Sequence, residues 1–225
     1  MKSLHSISLL VLCSLAAAAQ PADTLRQKSF LPTGIRIGTD VLALAKSSFD
    51  DTFDGWELNA DVDFYRYYFA LDYGYWARDY VTDEGVYSNG GDYVRLGVDV
   101  NFLKKDPDKN MFFFGMRYGR SAFSEDLTIE EIDPLWGPIN TTLTNSNVSA
   151  QWFELTTGLR VKIWKMIWLG YTARLKFGLS TGDTPDMLPH DVPGYGRADQ
   201  DSYWGFNYQV FIRLPVRKSP PIPVK

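Results

Sequence analysis

The feature that most constrains this chain is a period of two. After Thr33, segments of about ten residues set apolar side chains on one parity against polar residues or glycine on the other, which marks strands with two unlike faces. Eight such segments can be read. In the first, Ile35, Ile37, Thr39 and Val41 oppose Arg36, Gly38 and Asp40; in the second, Trp56, Leu58, Ala60, Val62 and Phe64 oppose Glu57, Asn59, Asp61 and Asp63. The pattern recurs over 69–78, 94–102, 112–119, 153–163, 167–177 and 204–213. Connectors alternate as well: short at 66–67, 104–110 and 164–166, long at 45–55, 79–91, 120–149 and 180–201. An even strand count with one ragged end predicts an all-β fold, an eight-stranded antiparallel up-and-down transmembrane β-barrel over residues 34–214.

Alternation alone does not say which face looks inward; volume does. The apolar parity holds about forty residues, many of them aromatic, whereas an eight-stranded barrel encloses only a packed core or one small ligand. A soluble, lipocalin-like carrier with its apolar face inside is therefore the poorer reading. The apolar parity carries no charge, as a lipid face requires when Arg or Lys at the midplane costs roughly 2–4 kcal/mol. The polar parity mixes large side chains with Gly38, Gly74, Gly97, Gly115, Gly119, Gly158, Gly170, Gly178 and Gly205, an alternation suited to a narrow interior. Aromatics near the row ends, Trp56, Tyr75, Tyr118, Phe153 and Trp204 toward the loops and Phe64, Phe69, Phe102 and Phe112 toward the turns, read as two interfacial girdles.

Every strand charge falls on the inward parity: Arg36, Asp40, Glu57, Asp61, Asp63, Asp72, Arg95, Asp99, Arg117, Glu154, Arg160, Arg174 and Arg213, with Lys162 and Lys176. Acids dominate the first four strands and bases the last four. Isolated charges there would be heavily penalised, so cross-barrel ion pairs are predicted to fill the interior and leave no continuous pore.

The N-terminus has Lys2, an apolar run over 7–15 and a small-residue stretch ending at Ala19, the three parts of a secretory signal over 1–19. Residues 20–33 are then a periplasmic lead-in and 215–225 a Pro-rich periplasmic tail. The one cysteine, Cys13, leaves with the signal, so disulfides and thiolate sites are excluded from the remaining chain. The net charge of −4, more negative still without Lys2, argues against nucleic acid as a partner.

The alternation and the last segment, Tyr203-Trp204-Gly205-Phe206-Asn207-Tyr208-Gln209-Val210, resemble those of the small eight-stranded outer-membrane barrels, the OmpX-like and OmpA-transmembrane-domain-like proteins, over nearly all of the mature chain. Within them it looks like one of the uncharacterised barrel families. The resemblance implies residence in the outer membrane of a Gram-negative bacterium, with outer-membrane lipids as partners. The chain departs from the pattern in continuing past this segment, where such barrels commonly end on a terminal Phe.

Some barrels it resembles are lipid- or peptide-modifying enzymes, which need a histidine or paired acids at the loop-side rim. The mature chain offers His190 in a proline-bounded loop, with Ser121 or Glu125 as conceivable partners from other loops; nothing in the spacing makes a triad, and a solvated loop histidine is the simpler reading. Acids crowd the long connectors without calcium-loop spacing, so no metal and no cofactor is predicted. The connector 120–149 carries more apolar surface than a solvated loop needs. It is expected either to fold over the barrel mouth or to dock a partner through Ile132, Leu135 and Trp136, while the tail is the part expected to touch a membrane or periplasmic protein partner.

Overall fold

The computed structural model describes residues 30–82, 85–103, 106–182 and 187–217. In chain order these form β1 (Gly34–Asp40), a helix α1 (Val41–Phe49), β2 (Phe53–Phe64), β3 (Tyr67–Thr82), β4 (Gly85–Asn101), β5 (Met111–Asp133), β6 (Gly137–Trp164), β7 (Ile167–Thr181), the two-residue strands β8 (Asp191–Val192) and β9 (Gly196–Arg197), and β10 (Ser202–Pro215). Strands β1 to β7 and β10 are hydrogen-bonded antiparallel in a closed ring, β10 joining β7 to β1, so the eight predicted strands are found. The ring is not disposed evenly about one axis. β8 and β9 pair only with each other. The predicted leader and most of the predicted tail lie outside the described residues.

Closure needs a stagger. Starting at Ile35 and stepping through Val62, Phe69, Val98, Met116, Leu155 and Leu175, the paired residues arrive on β10 at Trp204. The partner of Ile35 on β10 is Leu214, ten residues further on. That displacement tilts every strand and brings residues distant in register to one level inside. Two of the short connectors turn on left-handed residues, Tyr65 (φ 66°) and Lys165 (φ 40°), the backbone that lets a tight hairpin follow the strand twist.

The two parities meet opposite surroundings. Arg36, Glu57, Asp61, Asp72, Arg95, Asp99, Arg117, Glu154, Arg160 and Arg174 are all buried, while Ile37, Leu58, Phe69, Leu96, Leu155 and Phe206 are exposed. Phe114 and Leu159 belong to the exposed set and Val210 is half-buried. Rings touch along the outer face, with half-buried Phe64 against Phe69 and Phe102 against Phe112 toward the turns, and Tyr118 against Phe153 toward the loops.

Four readings from the sequence need correction. Val41 does not extend β1: the Asp40 carboxylate accepts from Leu42 N at 3.1 Å and starts α1 in what was read as strand and loop. The connector 79–91 is mostly strand, since β3 and β4 stay paired out to Thr82 and Gly85. The connector 120–149 is a hairpin, with β5 and β6 paired out to Asp133 and Gly137. Period-two patterning persists through Phe123, Glu125 and Leu127 on one arm and Leu143, Asn145 and Val148 on the other, interrupted by a bulge, so the ladder continues. Gly178 does not face the interior. Its φ of +66° makes a bulge at the β6–β7 register shift, and Leu179 turns in to pack on the buried cluster at the mouth.

Candidate functional site

The interior is the site that the fold builds, and it can be followed from the turn side to the mouth. On the turn side, Arg213 Nη2 stands 3.0 Å from Asp63 Oδ2, and Asp63 also accepts from Thr33 and from Gly34 N. Above it Tyr68, Met111 and Phe113 form a small buried cluster. Arginines lie on these rings: Arg36 over Tyr68 at 4.6 Å, and Arg160 over Phe113 at 5.0 Å and Phe211 at 4.7 Å. Guanidinium planes stack on aromatic faces while their edges stay free for carboxylates, and both edges are used here.

From there acids and bases alternate. Arg36 Nε donates to Asp61 at 2.8 Å, and Asp61 is shared with Arg160. Arg160 reaches Asp99 at 3.6 Å, and Arg117 Nη1 meets Asp99 at 2.7 Å. Arg117 lies 3.9 Å from Asp72, which Arg174 holds at 3.0 Å. Arg174 also reaches Glu154 at 3.0 Å and Glu57 at 3.6 Å, and both glutamates pair with Arg95, at 2.9 and 2.6 Å. Pairs such as Arg160–Asp61 and Arg174–Asp72 join strands from opposite halves of the ring. Each buried charge in this ladder has opposite charges within 4 Å, which offsets the several kcal/mol that desolvating an isolated ion costs.

Of the predicted network, Asp40 takes another role: besides capping α1 it accepts from Asn207 Nδ2 at 2.7 Å and Tyr208 N at 3.1 Å, amide partners rather than a base. Its place at the upper end of β1 sets it beside the helix start. Lys162 is not interior. It sits at the turn end with Asp108 at 2.7 Å, both partly open to solvent.

The mouth is built differently. Tyr93, Phe123, Val148, Ala150 and Trp152 from β4, β5 and β6 pack with Val192 and Tyr195, which arrive from the segment between β7 and β10. That segment descends into the ring and docks by its backbone: Gly194 O accepts from Arg95 Nη2 at 2.8 Å and Lys176 Nζ at 2.9 Å, and Tyr195 O accepts from Lys176 at 2.8 Å. Gly194 (φ +81°) and Gly196 (φ +112°) supply the left-handed backbone that the tight descent needs. Gly119 makes room from the other side, since a methyl there would collide with the Trp152 indole. Asp191 is fully buried, 3.4 Å from Arg78, and neither carboxylate oxygen accepts a hydrogen bond. Burial raises its pKa against the pull of Arg78. Beside it, Tyr87 donates to the Glu125 carboxylate at 2.6 Å.

This corrects the expectation for the connectors. Residues 191–196 close the mouth by packing on Phe123 and Val148 at the base of the hairpin 120–149, while the hairpin tip projects with Ile132, Leu135 and Trp136 exposed. The sequence predicts a long connector over 180–201; Pro189, Pro193, Gly194 and Gly196 flanking apolar Val192 and Tyr195 are the one signal in it of a closing segment.

His190 is exposed, its ring edge-on to Tyr80 at 5.1 Å and Tyr87 at 5.5 Å. It borders an open cleft of about 410 Å³ with Leu179, Pro189, Ala198, Asp199 and Gln200. The partners considered for it are engaged elsewhere: Ser121 Oγ donates to Asp92 O at 3.1 Å, and Glu125 is held by Tyr87 and by Asn145 at 2.9 Å.

Taken together, an antiparallel ring that keeps its ions inside and its apolar rows outside, with a loop seated in one end, is the class to which this chain belongs. Residues 1–219 match the family described as Domain of unknown function (DUF6048), and the chain is a member of that family. No curated protein matches it significantly.

Proposed function

We propose that the protein is an integral outer-membrane β-barrel of a Gram-negative envelope, with its interior plugged and non-conducting and a structural or docking role. One observation carries the reading: charge is buried inside the ring and large apolar side chains are exposed outside it, the reverse of a water-soluble sheet. The hairpin formed by β5 and β6 extends beyond the ring and is the docking element in this reading, with its apolar tip offered to a partner on the loop side, while the tail after β10 is the element nearest a membrane or periplasmic protein partner. The resemblance to small outer-membrane barrels favours extracellular loops and periplasmic termini, and thus an extracellular tip.

The test is fractionation of cells expressing the full chain. The protein should stay with outer membranes through high-pH carbonate extraction and come out only in detergent, and in planar bilayers it should give no steady conductance. Recovery in the soluble fraction without detergent would overturn the membrane reading, and stable unitary currents would overturn the plugged interior.

A further inference from the structure

An amphipathic helix on a water-soluble protein turns its apolar stripe toward the body it packs on. Helix α1 does the opposite. Ala43, Lys46 and Ser47, spaced i, i+3, i+4, form the side that meets the ring: Lys46 Nζ stands 4.1 Å over the ring of buried Phe53, and Ser47 Oγ donates to Asp54 at 2.7 Å. Val41, Leu42, Ala45 and Phe49 lie on the far side, at the i, i+4, i+8 and i, i+3, i+7 spacings of one stripe. Val41 and Leu42 are exposed and Phe49 is 91% exposed, and no residue of the helix is buried.

What covers the stripe follows from where the helix sits. It packs against β2 and β10 at the loop-side edge of the ring, and the outer faces of these two strands carry exposed Leu58, Trp204 and Phe206. Asp50, directly after the helix, is half-exposed and Asp51 is exposed, both polar as residues on the water side of a boundary would be. We infer that α1 is an interfacial anchor whose Val41, Leu42 and Phe49 enter the acyl-chain boundary of the loop-side leaflet. It fixes the depth of the ring in the bilayer, and its partner is lipid. This rests on the membrane reading above and adds a lipid-contacting element that no strand supplies.

The experiment places a nitroxide on the full chain, in a Cys13→Ser background, at Phe49→Cys, at Phe114→Cys on the outer strand face, or at Asp126→Cys on the exposed hairpin. The protein is reconstituted in phosphatidylcholine vesicles, and collision with oxygen is compared with collision with a water-soluble nickel chelate. All three positions are exposed, so the labels leave the fold intact. The Phe49 label should favour oxygen as the Phe114 label does, while the Asp126 label favours nickel. A Phe49 label that favours nickel while Phe114 favours oxygen overturns the helix assignment alone. Nickel preference at both overturns the membrane reading with it. Spin–spin broadening between Phe49 labels would replace lipid by a second copy of the chain.

Discussion

The middle of the ring and its mouth are filled by different physics. In the middle, side chains from the strands themselves close the space with ion pairs, and the apolar contribution is little more than Tyr68, Met111, Phe113 and Phe211 beneath guanidinium planes. At the mouth, an aromatic cluster like that of a soluble protein forms between Tyr93, Phe123 and Trp152 of the strands and Val192 and Tyr195, which a segment from 187–197 brings in. A narrow ring whose outer face is apolar has only its inward parity with which to fill itself. Where strands face each other at close range, alternating acid and base suffices; where they end, a separate piece of chain is required.

The contrast can be broken most sharply in the middle. Arg174→Ala would leave Asp72, Glu57 and Glu154 short of a shared cation, and removing one partner of a buried ion network typically costs about 3–5 kcal/mol. Urea unfolding in detergent should show that loss, and a shift under about 1 kcal/mol would mean that the ladder contributes little. Trp152→Ala comes next, at about 3 kcal/mol, since it empties the centre of the mouth cluster and removes the indole N–H that donates to Glu154 at 2.8 Å. Its signature should be local as well, with faster amide exchange over 191–197 than over β1.

A pH effect separates the two regions further. Because the folded state raises the Asp191 pKa, the folded protein holds that proton more tightly than the unfolded chain does. Docking of the segment is strongest below the ordinary carboxylate range and weakens as pH rises through the raised value. Asp191→Asn should therefore slow amide exchange of 191–197 at neutral pH and flatten its dependence on acidification; unchanged exchange would show that the carboxylate is not under strain there. The smallest effect is expected at the hairpin tip, where Ile132→Ser should change the unfolding free energy by less than about 0.5 kcal/mol. A larger loss would mean that the tip is part of the fold rather than a docking element.

Much of this is legible in the sequence. Single residues such as Arg36 between Ile35 and Ile37, or Asp61 between Ala60 and Val62, already show which side each strand turns to the interior, because a pleated strand has no other choice. What misled was length. Connectors longer than a turn read as loops, yet 120–149 keeps its ladder, because the alternation of buried and exposed positions runs on along both arms. Gly178 was read by parity, and one left-handed residue is enough to shift parity. The docking of Gly194 on Arg95 and Lys176 had no local sign, since a carbonyl oxygen carries no side-chain identity.

The order of residues along the chain, by itself, determined that every strand has one face for ions and one for apolar contact, and hence that the sheet had to close around its charges. Which acid meets which base was decided only in three dimensions. The ten-residue stagger at closure sets Arg174 beside Asp72 and Arg160 beside Asp61, about a hundred positions apart, and the distance between such residues depends on tilt and circumference, which no local pattern encodes.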